Sequence, residues 1–187
     1  MKSFFKYPRG FTLIELVVVM AVFAIIAGMA TPSFMGMIRD NRIITQTNNL
    51  VGSLQLARSE AAKRSVQVTI RSVNVNNNNW DQGWRVFTDW DGDGNFDGGG
   101  DANLCEVEED CELRVQPALS NNMTLRTVGN YTTWMAFLPS GIPISPVGSG
   151  DDEFRICSSH GDTTNARTVN ISTTGRPATT KGATACP

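Results

Sequence analysis

An α+β fold, with a long amino-terminal helix packed on antiparallel β-sheet, is predicted by three features of this 187-residue chain. Residues 11–30 are apolar apart from Glu15 and the hydroxyl of Thr12. Ile43, Thr47, Leu50, Leu54, Ala57 and Ala61 then recur at 4-3-4-3 spacing, which lines one face of a helix. From Val66 the period changes to two, in short apolar-polar segments punctuated by glycine and asparagine, the pattern of strands and turns.

The elements follow in order. Residues 1–10 form a leader with Lys2, Lys6 and Arg9 and no acid, a charge bias that keeps the amino end cytoplasmic and sends the remainder outward. Residues 11–30 predict a transmembrane helix, since about 20 apolar residues cross a hydrocarbon core. A carboxylate at the depth of Glu15 costs roughly 2.5–3.5 kcal/mol and calls for a partner. An ordinary secretory signal has an apolar core of only about 7–15 residues and no reason to carry that acid. Residues 31–64 continue the helix beyond Thr31-Pro32, where proline is expected to kink it. This half is amphipathic, with Arg39, Asp40, Arg42, Arg58, Glu60, Lys63 and Arg64 largely off the apolar stripe.

Residues 65–187 predict a β-rich head. Strands are expected at Val66–Ile70, Gly83–Thr88, Leu113–Val115, Thr124–Val128, Thr133–Leu138, Asp152–Cys157 and Thr168–Thr173, with a turn at Asn76–Asn79. An amphipathic helix covering such strands gives the two-layer domain. Without Lys2, Lys6 and Arg9 the chain keeps 13 basic against 18 acidic residues, a balance of −5, which offers nucleic acid no general attraction. Cys105, Cys111, Cys157 and Cys186 all lie in the part expected outside the cytoplasm, where disulfides persist. Three connectivities are open to four cysteines. The favoured one joins Cys105 to Cys111 and Cys157 to Cys186. No CxxC pair occurs and the lone His160 lies in a polar stretch, so zinc ligation has little support.

The run Arg9-Gly10-Phe11-Thr12-Leu13-Ile14-Glu15-Leu16 resembles the type IV prepilin signal. The resemblance implies cleavage by a prepilin peptidase between Gly10 and Phe11, N-methylation of Phe11, and a charge pair between Glu15 and the Phe11 amine of an adjacent subunit. Ala57-Arg58-Ser59-Glu60-Ala61, Gly83-Trp84-Arg85-Val86-Phe87-Thr88-Asp89 and Ile171-Ser172-Thr173-Thr174-Gly175-Arg176-Pro177 resemble the FimT/FimU and type II secretion H-type minor pilins. The family implies a type IV pilin-like fold and a low-copy structural subunit rather than an enzyme. It also implies a single-pass inner-membrane precursor whose carboxyl-terminal domain is periplasmic, later placed at a pilus tip. Its expected partners are other minor pilins, the major pilin and the inner-membrane assembly machinery, and no cofactor is expected. The alternatives are a DNA-binding minor pilin for natural transformation and an H-type pseudopilin of type II secretion.

Two further groups are candidate sites. Asp89, Asp91, Asp93, Asn95 and Asp97, with Gly94 at the sixth position, follow the oxygen-ligand spacing of a Ca²⁺ loop. Gly100 stands where the bidentate glutamate belongs, with Asp101 or Glu106 as substitutes; an acidic Asp/Gly hairpin is the competing reading. FimT-type relatives bind DNA through glycine-arginine-x-arginine, and Gly175-Arg176-Pro177-Ala178 keeps only the first arginine. Arg167, Arg176 and Lys181 are the cations left for phosphate contact. No GxSxG, HExxH or Walker-type run supplies catalytic machinery.

Overall fold

The computed structural model describes residues 10–74, 78–98, 109–120, 122–148, 152–159 and 161–186, with side chains of 30–33 excepted. Helix α1 is Leu13–Arg64. Nine strands follow: β1 (Gln67–Ser72), β2 (Trp84–Asp89), β3 (Glu112–Gln116), β4 (Thr124–Val128), β5 (Trp134–Phe137), β6 (Pro143–Ile144), β7 (Asp152–Cys157), β8 (Arg167–Ile171) and β9 (Pro177–Lys181). By internal packing the chain divides at Arg39, and residues from Asp40 onward form the head.

Amino-terminal to that division, α1 has no core of its own. Its large apolar side chains are exposed, Leu13 at 80% and Met29 at 75% among them. An apolar surface of this extent marks a face that lipid or other subunits cover. Among the described residues no single helix is long and apolar enough to cross a membrane; Leu13–Met29 and Phe34–Arg64 meet that test only together.

In the head, the expected stripe is the buried face of α1. Ile43, Thr47, Leu50, Leu54, Ala57 and Ala61 are each no more than 2% exposed. Thr47 satisfies its hydroxyl by donating to the Ile43 carbonyl at 2.7 Å, so a polar residue sits in the stripe with its hydrogen bond made. Ser53 joins the buried face unforeseen. Its hydroxyl donates to the Asn49 carbonyl at 2.9 Å and accepts the Trp84 indole N–H at 3.0 Å.

Against this face lie two antiparallel sheets, ordered β3-β2-β1-β5-β6 and β4-β7-β8-β9. The first is centred on β1, where Ile70 pairs with Val86 on one side and Met135 on the other. In the second, β7 pairs with β4 from Thr124↔Cys157 to Val128↔Glu153 and with β8 from Asp152↔Ile171 to Ile156↔Arg167. Side chains of α1 and of both sheets share one core, in which Leu54 and Val68 join Phe137, Ile156 and Val169. Within that core Trp80, from the connection between β1 and β2, meets Phe154 of β7 edge to face, with ring centroids 5.0 Å apart, and Tyr131 stacks on Phe154 at 5.7 Å.

The seven expected strands are present, β4 and β7 with the expected ends and the others with ends shifted by no more than two residues. Two short edge strands, β6 and β9, are additional. Each begins at a proline, where the missing N–H is harmless at a sheet edge, and β9 is largely exposed, without the alternation that marks a half-buried strand. Of the expected asparagine turn, 76 and 77 lie outside the described residues, while Asn79 bridges Arg126.

Candidate functional site

At the amino terminus, Gly10, Phe11 and Thr12 precede the helix in exposed, non-helical backbone. Thr12 and Glu15 close a capping box: the Glu15 amide donates to Thr12 Oγ1 at 3.3 Å, and the Thr12 amide to Glu15 Oε2 at 3.5 Å. Two helix-end donors with no intrahelical partner are thereby satisfied. The Thr-x-x-Glu spacing was present in the sequence as the signal of this cap. Phe11 and Glu15 thus lie on either side of the helix start, with Glu15 tied to its own chain.

The acidic loop after β2 is organised by Asp89. Its carboxylate is buried and accepts from Thr69 Oγ1 at 2.5 Å, Gln67 Nε2 at 2.9 Å, Gly92 N at 2.8 Å and Gly94 N at 3.0 Å. Burial pushes its pKa above the usual carboxylate value, against the pull of the Thr69, Gln67 and Gly92 hydrogen bonds and with nearby Asp110 adding to the rise. Of the five expected Ca²⁺ ligands, Asp89, Asp91 and Asp93 bring oxygens within 4.8 Å of one another. Asn95 instead donates to Asp93, holding that carboxyl below its usual range, and the Asp97 amide donates to Asp110 Oδ2 at 2.9 Å. Gly100, Asp101 and Glu106 lie outside the described residues.

Cys157 and Cys186 are bonded, with Cα atoms 5.9 Å apart across a separation of 29 residues. Cys111 is also disulfide-bonded; Cys105 and His160 lie outside the described residues.

The β8–β9 hairpin separates the candidate DNA contacts. Arg167 and Lys181 face each other in register at one end, whereas Arg176 lies in the turn beyond the Ile171↔Pro177 pair. From Arg176 to Lys181 is five residue steps, roughly 17 Å along the strand. Arg167 is also engaged by the carbonyls of Asn165 and Ala166.

Arg176 belongs instead to a cavity of about 620 Å³ lined by Gln55, Arg58, Ser59 and Ala62 of α1, by Ser140 and Gly141 between β5 and β6, and by Arg176 and Pro177. Two glycines bring these segments together. Gly175 has φ +75° and is buried so closely that a Cβ would lie 2.2 Å from the Gly141 carbonyl oxygen. Gly141, with φ +79°, leaves 3.1 Å between a notional Cβ and Arg58 Nε. Side-chain-free residues at positive φ let the two hairpin turns and the helix meet. The Ser172 hydroxyl accepts the Arg176 amide at 3.1 Å and so fixes the turn. Sequence reasoning placed Arg58 off the apolar stripe and missed this cavity. The available signal was an arginine directly after core position Ala57.

Comparison with known proteins now bears on this fold. The family described as Type II transport protein GspH matches residues 46–175. The chain belongs to the GspH family. A prokaryotic N-terminal methylation motif matches residues 6–31 of this GspH-family chain. Two crystal structures of the Pseudomonas aeruginosa type IV minor pilin FimU share its fold at 22% identity. Their TM-scores are 0.54 and 0.59, covering 75% and 79% of this chain and 96% of FimU. No curated protein matches by sequence. The GspH-family chain is a minor pilin or pseudopilin, a structural subunit of a filament.

Proposed function

We propose that this chain is a minor type IV pilin of the FimU kind, made as an inner-membrane precursor, processed after Gly10 and N-methylated at Phe11. It then joins other minor pilins in the complex that starts a filament and remains near its tip. The reading is carried by one conjunction: a methylation motif over residues 6–31 leads into an unpartnered apolar helix, in a chain whose head is a GspH domain. Lipid covers that helix in the precursor, and neighbouring subunits cover it after assembly. Glu15 pairs with the Phe11 amine of an adjacent subunit, offsetting the cost of a carboxylate in an apolar core.

Glu15→Ala in the full chain tests the mechanism. Loss from sheared filaments with normal membrane levels is expected; undiminished incorporation would refute the charge pair. The description of the family as a type II transport protein favours a second reading, an H-type pseudopilin. Deletion with twitching, DNA uptake and secretion scored side by side separates the two, since the pilin reading predicts lost twitching with secretion intact. DNA capture has less support, because Ala178 replaces the second arginine of the binding motif and Arg176 stands apart from Arg167 and Lys181.

A further inference from the structure

We infer that the cavity between α1 and the two hairpin turns receives an acidic side chain from an adjoining pilin subunit, held by Arg58 and Arg176. This names a contact within the proposed filament and rests on that proposal.

Two arginines of the head share a cavity and have no anion of the described residues beside them. Among the described residues, Arg64, Arg85, Arg126 and Arg155 each form an ion pair with a glutamate or aspartate of the head. Arg58 and Arg176 form none, and they line the same cavity. Arg58 Nε is buried with no hydrogen-bond partner. A guanidinium nitrogen withdrawn from water and unbonded is costly, and a carboxylate reaching Arg58 in line with its N–H would remove that cost.

The surroundings favour a carboxylate over a phosphodiester chain. Guanidinium and carboxylate match as parallel two-point hydrogen bonds, and Ser140 and Gln55, both with side-chain donors, line the same space. Residues 40–187 carry 17 acidic against 12 basic residues. That field repels a polyanion at long range, while leaving half-buried Arg58 and exposed Arg176 able to take a single side chain. Two cationic contacts also supply only a small part of the counterion release that drives nucleic-acid binding.

The test uses the full chain in its own filament. A benzophenone amino acid replaces Gln55, which is exposed at the cavity rim, and light-induced adducts in sheared filaments are mapped by mass spectrometry. The expected adduct is to a pilin subunit, within a few residues of an aspartate or glutamate. Arg58→Gln with Arg176→Gln should lower its yield about tenfold, the equivalent of one charged hydrogen bond. Arg58→Glu combined with arginine at the partner's acid should restore it.

An adduct with nucleic acid, an adduct at a pilin segment without an acid, or a yield unchanged in the double variant would each overturn the inference. So would no adduct while the labelled chain is present in the filament. Formation of the Cys157–Cys186 bond verifies that the variants fold. A folded double variant absent from filaments, rescued by the charge swap, also supports the contact. Wild-type chain missing from filaments would instead overturn the pilin reading on which the contact rests.

Discussion

Replacing Cys186 by serine tests how the carboxyl-terminal tail is held. The Cys157–Cys186 bond closes a loop across 29 residues, and the chain-entropy relation assigns such a loop about 3.6 kcal/mol of restriction in the unfolded state. For a head of this size, from Asp40 onward, that corresponds to a fall of roughly 10 °C in Tm. Cys186 is the better partner to change. Cys157 is fully buried, so a hydroxyl in its place would add a desolvation cost of its own, whereas Cys186 is only half-buried. The buried Cys157 thiol left behind is also shielded from exchange.

The assay is thermal and urea unfolding of the full chain in detergent, without reductant. Hydrogen exchange locates the effect. Gly182 and Ala183, whose amides donate to Ala166 and Thr163, should lose protection. Gly175 and Arg176 should keep theirs, because contacts with Gly141 and Ser172 hold that turn. A loss below about 1 kcal/mol, or equal loss of protection at both ends of the hairpin, would refute the reasoning.

Asp89 predicts a pH effect. Its folded pKa is raised above 3.8 by burial, so the native state holds the proton more tightly than the unfolded chain. Its contribution to stability is therefore present below 3.8 and lost as pH rises to the raised native value, by at most about 1.4 kcal/mol per pH unit. In Asp89→Asn that component of the slope should vanish, and urea midpoints that change identically with pH in both proteins would contradict it. Gly175→Ala should cost at least about 2 kcal/mol, combining left-handed strain with displacement of the Gly141 carbonyl. Gly161→Ala, with φ +65° and open space around its notional Cβ, should show the strain alone, and equal melting points for the two variants would discount the packing.

The helix and most strands were legible because burial has a period. Leu50, Leu54 and Ala57 fall on one face of α1 by spacing alone, and all three are fully buried. β9 escaped notice because Pro177–Lys181 buries little and carries no alternation; its strand character comes from pairing with β8. The cavity escaped for a related reason. Arg58, Gly141 and Arg176 are far apart in the chain, and only the docking of two glycine turns brings them together. Charge spacing along the acidic loop likewise did not reveal that Asp89 turns inward to hold β1 and the loop amides.

The capping box at Thr12 and Glu15 bears on when the proposed processing can occur. Because α1 begins at Leu13, the Gly10–Phe11 bond lies upstream of the first helical turn, in backbone accessible to a protease. Removing the leader therefore leaves the Thr12–Glu15 cap whole and need not melt any helix. On the proposed pathway, precursor and mature subunit share this helix start and differ there by a charge. In that pathway the commitment to polymerise is a new amine beside a helix cap that cleavage leaves intact.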